Sequence, residues 1–97
     1  MIGFLYLGEA NLPYWVYILR SEATGRLYIG QTSDLENRVM RHNLEEAGSR
    51  RYTHRQEGPW TLIYSEEKET RSEAMTREKS LKSGKGREWI KENILRE

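Results

Sequence analysis

Two tyrosines, Tyr17 and Tyr28, lie eleven residues apart in segments whose composition predicts two adjacent β-strands. Residues 15–19 and 26–31 are rich in β-branched and aromatic side chains, which favour strands. The segment between them carries hairpin chemistry, with Gly25 able to take a positive φ. Because so short a connection forces the two strands to pair, this hairpin is the strongest constraint on the fold.

The length of the hairpin loop predicts which residues face each other. A loop of four residues, 22–25, pairs Leu19 with Tyr28 and Tyr17 with Gly30. Since side chains alternate across a sheet, both phenols then point to one face, beside a residue without a side chain. The opposite face receives an apolar set: Val16, Ile18, Leu27 and Ile29.

A helix is predicted directly after the hairpin, over about residues 34–46. Ser33 as N-cap with Glu36 three residues later fits a capping box. Leu35 and Val39 form a stripe suited to packing under the sheet. Helical spacing places three basic side chains on one flank: Arg38, Arg41 and His42. A guanidinium fork binds phosphate oxygens, and a phenol can hold or deprotonate water, so the combination suits a phosphodiester.

Charge is distributed unevenly, although the net charge of the chain is only +1. A segment dense in cations with an aromatic residue inside it follows the first helix, and six basic residues lie between residues 77 and 91. Such a mixture suits a nucleic-acid backbone with a stacking side chain; an ordinary solvated surface is the alternative. The candidate DNA contacts are Arg41, Arg50, Arg51, Tyr52, His54, Arg55 and Lys82.

A carboxylate on an apolar stripe marks the next helix. A third strand, residues 60–64, fits the centre or inner face of a sheet, and a capping box at Thr70 begins a helix over residues 71–83. Glu78 lies on the stripe of that helix, four residues after an alanine and three before a leucine. A carboxylate there needs a cation, which is either a divalent metal or one of Arg38 and Lys82.

The last predicted helix covers residues 87–96, after a short Gly-containing turn at 83–86. Its pattern turns Trp89, Ile90 and Ile94 inward, and Asn93 shares their stripe. An inward asparagine is either a hydrogen-bonded core group or a support for Glu78. The order of elements predicts an α+β domain in which helices flank a three-stranded, mostly antiparallel sheet.

Composition limits the remaining classes. Ninety-seven residues suit one domain, which we expect over residues 14–97. The extension over residues 1–13 is either an extra edge strand, over residues 2–7, or a loosely packed segment, which we favour because termini commonly fray. The absence of cysteine excludes disulfides and thiolate metal sites and fits a cytoplasmic location. No apolar run is long enough to span a bilayer, so we expect neither a signal peptide nor a membrane span.

These motifs resemble those of the GIY-YIG nuclease superfamily, in particular its small single-domain bacterial members, over nearly the whole chain. The first triplet is Trp15-Val16-Tyr17, in which only the tyrosine matches, and the second is intact as Tyr28-Ile29-Gly30. The arginine, histidine, metal-binding glutamate and late asparagine of the family correspond to Arg38, His42, Glu78 and Asn93. One repair nuclease of the superfamily, UvrC, carries a lysine after the second triplet, whereas this chain has Gln31.

The resemblance implies a metal-dependent endonuclease that hydrolyses DNA phosphodiester bonds in repair or recombination. By resemblance, Glu78 holds one Mg²⁺ or Mn²⁺ ion, Tyr17 or Tyr28 positions or deprotonates the attacking water, Arg38 neutralises the transition state and His42 assists. Gly30 and Asn93 are supporting residues. The alternative is a weakly active DNA-binding module of the same fold that needs a protein partner; RNA remains open as a substrate, because no residue reports on the 2′-hydroxyl.

Overall fold

The computed structural model describes residues 13–44 and 58–96. Nearly all of the predicted extension, and the candidate DNA contacts between residues 50 and 55, lie outside this part of the chain. None of the helices in the described ranges has both the length and the apolar character needed to cross a membrane. The elements are β1 (Tyr14–Ser21), β2 (Leu27–Thr32), α1 (Leu35–Leu44), β3 (Trp60–Lys68), α2 (Arg71–Leu81), α3 (Gly84–Ile90) and a π-helix (Lys91–Leu95).

The three strands form an antiparallel sheet in the order β2-β1-β3. This confirms the predicted α+β class with a three-stranded sheet. Of the two positions predicted for the third strand, the centre of the sheet is wrong, since β3 lies at an edge and extends to Lys68. β1 takes the centre because it alone is buried on both faces, over four consecutive residues, Val16 to Leu19.

The β1–β2 hairpin has the predicted register. Tyr17 pairs with Gly30 and Leu19 with Tyr28. The backbone N–H of Gly25 donates to the carbonyl of Ser21 at 2.9 Å, and Gly25 takes a φ of 80°, as the loop chemistry predicts. The turn therefore fixes the alternation of side chains along both strands.

Two apolar clusters cover the two faces of the sheet. One combines Val16 and Ile18 with residues of the later helices: Ala74, Leu81 and Ile90. The other combines Tyr17, Leu19 and Trp60 with partly buried residues of β2 and α1: Tyr28, Leu35 and Val39. The predicted division into an apolar face and a face that carries both phenols is confirmed, and α1 packs on the phenol face.

The helix caps differ from prediction in one case. Asp34, rather than Ser33, caps α1: its Oδ1 accepts from the N–H of Asn37 at 3.2 Å. Thr32 Oγ1 accepts the N–H of Asp34 at 3.1 Å, which extends the turn by one residue and delays the helix. At α2 the predicted cap is confirmed, because Thr70 Oγ1 accepts from Glu73 N–H at 3.1 Å.

The C-terminal part departs furthest from prediction. The segment predicted as a turn already opens α3, with Ser83 Oγ accepting from the N–H of Gly86 at 3.1 Å. From Lys91 the chain winds as a π-helix, whose i→i+5 bonds change the angle between successive side chains. Asn93 is therefore exposed, with its Nδ2 donating to the carbonyl of Trp89 at 2.9 Å, so its predicted inward position is wrong.

One side chain on α1 fastens that helix to β3. Asn43 Oδ1 accepts from the backbone N–H of Trp60 at 2.7 Å, and its Nδ2 donates to the carbonyl of the same residue at 3.1 Å. The amide thus takes the place of a neighbouring strand at the start of β3. Since His42 precedes Asn43, this double hydrogen bond also fixes the end of α1 that carries the imidazole.

We expect Asn43→Ala to lower the free energy of unfolding by about 1–3 kcal/mol, because it removes both hydrogen bonds between the Asn43 side chain and the backbone of the buried residue Trp60. Urea denaturation measures the change. Asn37→Ala, an exposed asparagine on the same helix, is the matched control and should change the stability much less. Equal destabilisation by both variants would contradict the proposed fastening role.

Candidate active site

The hydroxyl of Tyr17 is the centre of a cluster on the phenol face of the sheet. Arg38 Nε donates to it at 3.3 Å, and His42 Nε2 lies at 3.3 Å on a second side. Tyr17 is fully buried and His42 is 5% exposed. With Arg38 donating, the hydroxyl hydrogen of Tyr17 is available for His42, which accepts it when Nε2 carries no proton.

Gly30 makes room for this phenol. A Cβ placed on Gly30 would lie 2.6 Å from the hydroxyl oxygen of Tyr17 and 2.8 Å from its Cζ. The aromatic ring therefore lies across the cross-strand glycine, in the space that any other side chain would fill. The Tyr-Ile-Gly triplet thus supplies the vacancy that directs the hydroxyl of Tyr17 towards α1.

Tyr28 completes the cluster from the edge strand. Its ring centroid is 4.9 Å from that of His42, with the planes tilted by 60°, and 6.2 Å from that of Tyr17. Unlike Tyr17, Tyr28 is only partly buried. The structure therefore brings together all four residues that the sequence singled out for the chemistry, namely Tyr17, Tyr28, Arg38 and His42.

Burial and charge set the protonation states at the centre. Desolvation raises the pKa of Tyr17 to about 12, although its hydrogen bond from Arg38 acts in the opposite direction. That same bond raises the pKa of Arg38 above its ordinary value, and hydrogen bonding with Tyr28 adds to the rise. At neutral pH the cluster therefore holds a protonated buried phenol beside a permanent cation.

Glu78 of α2 acts on this cluster through its charge. Its negative charge contributes to the raised pKa of Tyr17. The carboxylate, 23% exposed, accepts from Lys82 Nζ at 2.7 Å. Lys82 is therefore the cation that pairs with Glu78 in the described part of the chain.

The donor set around Glu78 decides how a metal ion could be held. Within residues 13–44 and 58–96 there is no group of three or more His, Asp or Glu side chains arranged to bind a metal. Mg²⁺ keeps several waters and is commonly held by one or two carboxylates together with substrate phosphate oxygens. A single carboxylate that is partly exposed beside the cluster fits that manner of binding, with Glu78 as the protein ligand.

The remaining predicted site residues are not part of the cluster. Arg41 lies exposed on α1, and Asn93 bonds to its own helix instead of supporting Glu78. Asn43, which the sequence analysis did not single out, is a positioning residue through its bonds to Trp60. The sequence carried little signal for it: asparagine has a low helix propensity, but Asn37 of the same helix shares that property and is exposed.

We expect Gly30→Ala to destabilise the fold by about 1–3 kcal/mol, as overpacking in a close-packed interior does. Tyr17→Phe removes the hydroxyl oxygen, which is the atom nearest to the new methyl group. In that background Gly30→Ala should therefore lower the free energy of unfolding by less. Urea denaturation of the two single variants and the double variant gives the coupling energy. Additive effects would mean that the hydroxyl of Tyr17 does not compete with the new methyl group for the space above Gly30.

The alkaline titration of the protein tests the burial of Tyr17. Its pKa is higher in the folded state than the ordinary value of 10.0, so its contribution to stability is complete below pH 10 and is lost as the pH rises towards 12. Phenolate absorbance follows the titration. We expect the last ionisation step near pH 12, and we expect that step to be missing from Tyr17→Phe. Tyr64→Phe is the control, because its phenol also has a raised pKa but lies outside the cluster. Loss of the last step in Tyr64→Phe instead would contradict the assignment.

Comparison with known proteins places this arrangement in a family. The model of the GIY-YIG catalytic domain matches residues 13–93. A UPF0213 protein of Desulfotalea psychrophila is 41% identical over 75 residues, which are 76% of this chain and 66% of the relative. A UPF0213 protein of Haloquadratum walsbyi is 40% identical over 73 residues, which are 75% of this chain and 78% of the relative.

A solved structure is similar as well. The solution NMR structure of a UPF0213 protein from Bacillus halodurans is 31% identical and matches with a TM-score of 0.47, covering 80% of this chain and 81% of the other. The domain match spans both tyrosine strands, α1 and the helix that carries Glu78. The chain belongs to the GIY-YIG family.

Proposed function

We propose that this protein is a divalent-metal-dependent endonuclease that hydrolyses DNA phosphodiester bonds. Membership of the GIY-YIG family implies a nuclease-type fold, and nucleases of this family generally use divalent metal ions. The observation that carries the proposal is the buried hydroxyl of Tyr17, held by Arg38 and His42 and influenced by the charge of Glu78. A purely structural core does not require a phenol, a cation and a carboxylate to lie this close together.

Arg38 is assigned to the phosphate. Its Nε is engaged by Tyr17, which orients the guanidinium plane, while the side chain remains partly exposed. A guanidinium held in this way offers further N–H groups to phosphate oxygens. It stabilises the charge that builds up as the pentavalent transition state forms, without reorganisation at the moment of reaction.

The two tyrosines are given different roles because their exposure differs. Tyr28 is partly exposed, so we place the attacking water against its hydroxyl. His42 packs edge-on against Tyr28, and imidazole is the side chain best suited to accept a proton near neutral pH. Tyr17 is buried and keeps its proton; it positions Arg38 and His42 for the reaction.

Glu78 is assigned as the metal ligand. A divalent ion, when bound, polarises the phosphate and stabilises the departing 3′ oxygen. Lys82 neutralises the carboxylate in the protein alone. A metal ion at Glu78 would replace that ion pair, so Lys82 would become available to contact the DNA backbone. Lys82 would then fill both roles predicted for it, as the partner of Glu78 and as a DNA contact.

Further DNA contacts are proposed outside the cluster. Arg41 is exposed on α1, one turn beyond Arg38. The basic segment over residues 50–55 stays a predicted contact. A role in DNA repair or recombination, and a cytoplasmic location, complete the proposal.

Cleavage of labelled single-stranded, duplex and branched DNA with Mg²⁺, Mn²⁺ or EDTA tests the function. We expect metal-dependent cleavage that Glu78→Gln abolishes and that Arg38→Ala slows by about 10²–10³, as is typical when a preorganised charged donor is lost. Tyr28→Phe should reduce kcat and change the pH profile, whereas Tyr17→Phe should reduce kcat with less change in its shape. Glu88→Gln, an exposed carboxylate on α3, is the matched control and should cleave like the wild type.

A binding module that cleaves poorly is the second candidate. The observation in its favour is the ion pair between Glu78 and Lys82, which a metal must break. DNA binding that survives Glu78→Gln, without cleavage by any form of the protein, would support this module and overturn the nuclease. A protein partner would then present the DNA.

A further inference from the structure

A cavity of about 430 Å³ lies under the edge strand β2, on the face of the sheet opposite the phenols. Its floor consists of apolar side chains from β2, α3 and the π-helix, namely Leu27, Ile29, Ile90 and Leu95. Its volume falls within the range of small-molecule sites, about 300–1,000 Å³. The π-helical winding brings Leu95 to this floor while Asn93 points to solvent.

Cations surround the apolar floor. Arg26 precedes β2, Lys82 follows α2, and Arg87 and Lys91 lie on successive turns at the C-terminal end. None of the residues described as lining the cavity is acidic. Arg87 Nη1 donates to the carbonyl of Lys82 at 3.2 Å, which directs the guanidinium along the rim. A chain of net charge +1 therefore concentrates positive charge around one apolar depression.

The chemistry of this cavity selects an anion with an apolar body. An apolar floor offers nothing to a fully hydrated phosphate, and a cationic rim favours an anion over a neutral ligand. A nucleotide combines a flat base, which can lie on aliphatic side chains, with a phosphate for the rim. Lys82 joins the two sites, because it lines the cavity and its Nζ lies 2.7 Å from the carboxylate of Glu78.

We propose that the cavity binds one nucleotide of the DNA strand, close to the cleaved phosphodiester. The base rests on the apolar floor, and its phosphate contacts Arg87 and Lys91. The strand then passes over Lys82 and around the edge strand to the cluster at Tyr28. The proposal of a strand path rests on the proposed function, whereas nucleotide binding in the cavity can be measured without any cleavage.

Backbone NMR spectra of the full chain, titrated with thymidine monophosphate in the absence of metal, test the site directly. We expect shifts of the amide signals of Leu27, Ile29 and Leu95. The double variant Arg87→Gln/Lys91→Gln should weaken binding at least tenfold, whereas Lys79→Gln, an exposed lysine of α2 that does not line the cavity, should leave it unchanged. Thermal unfolding of each variant checks that the fold is retained.

Inorganic phosphate is the comparison ligand. Equal shifts and affinity with phosphate alone would make the rim a simple anion site and overturn the nucleotide proposal. An absence of shifts at the floor would overturn it as well.

The path of the strand is tested by the salt dependence of oligonucleotide binding, measured by fluorescence anisotropy. The variant Arg87→Gln/Lys91→Gln removes the contacts of one phosphate, so it should reduce the slope of log K against log salt by about 0.7, the contribution of one phosphate of single-stranded DNA. An unchanged slope would overturn the path. Nucleotide binding together with a lack of cleavage under all metal conditions would reject the nuclease and leave the nucleotide site standing.

Discussion

The packing of Tyr17 across Gly30 is the contact on which the site depends. The phenol can pack across the neighbouring strand only because that strand presents no side chain at the opposing position. Its hydroxyl is then directed to α1, where Arg38 and His42 meet it. The glycine thus acts by leaving space for the ring. The hydroxyl of Tyr17 is then buried, and a buried hydroxyl needs a hydrogen-bond partner.

That requirement is met by a helix held at both ends. Asp34 caps the first turn of α1, and Asn43 bonds its last turn to the backbone of Trp60. Arg38 and His42 lie between these two fixed points. Individually such bonds are worth about 1 kcal/mol, but together they restrict the helix enough to keep a guanidinium and an imidazole on one hydroxyl.

Burial gives the two tyrosines different chemistry. The phenol of Tyr17 loses solvent and its pKa rises to about 12, so it serves as a fixed hydrogen-bonding group. Tyr28 keeps access to solvent at the edge strand. On the other side of the cluster, Glu78 is balanced by Lys82, which lies between the phenol cluster and the basic cavity beneath β2. One lysine therefore links the proposed metal ligand to the proposed nucleotide site.

The sequence by itself determined the hairpin register, the side of the sheet on which both tyrosines lie, and the α1 residues that join them. Strand alternation, loop length and helical spacing are local rules, and each acts within about a dozen residues of Tyr17 or Arg38. Only the tertiary structure decided that β1 is central, that Asn43 bonds to the start of β3, and that a π-helix turns Asn93 outward. These features depend on which distant surfaces pack together, and no local pattern reports the burial that separates the roles of Tyr17 and Tyr28.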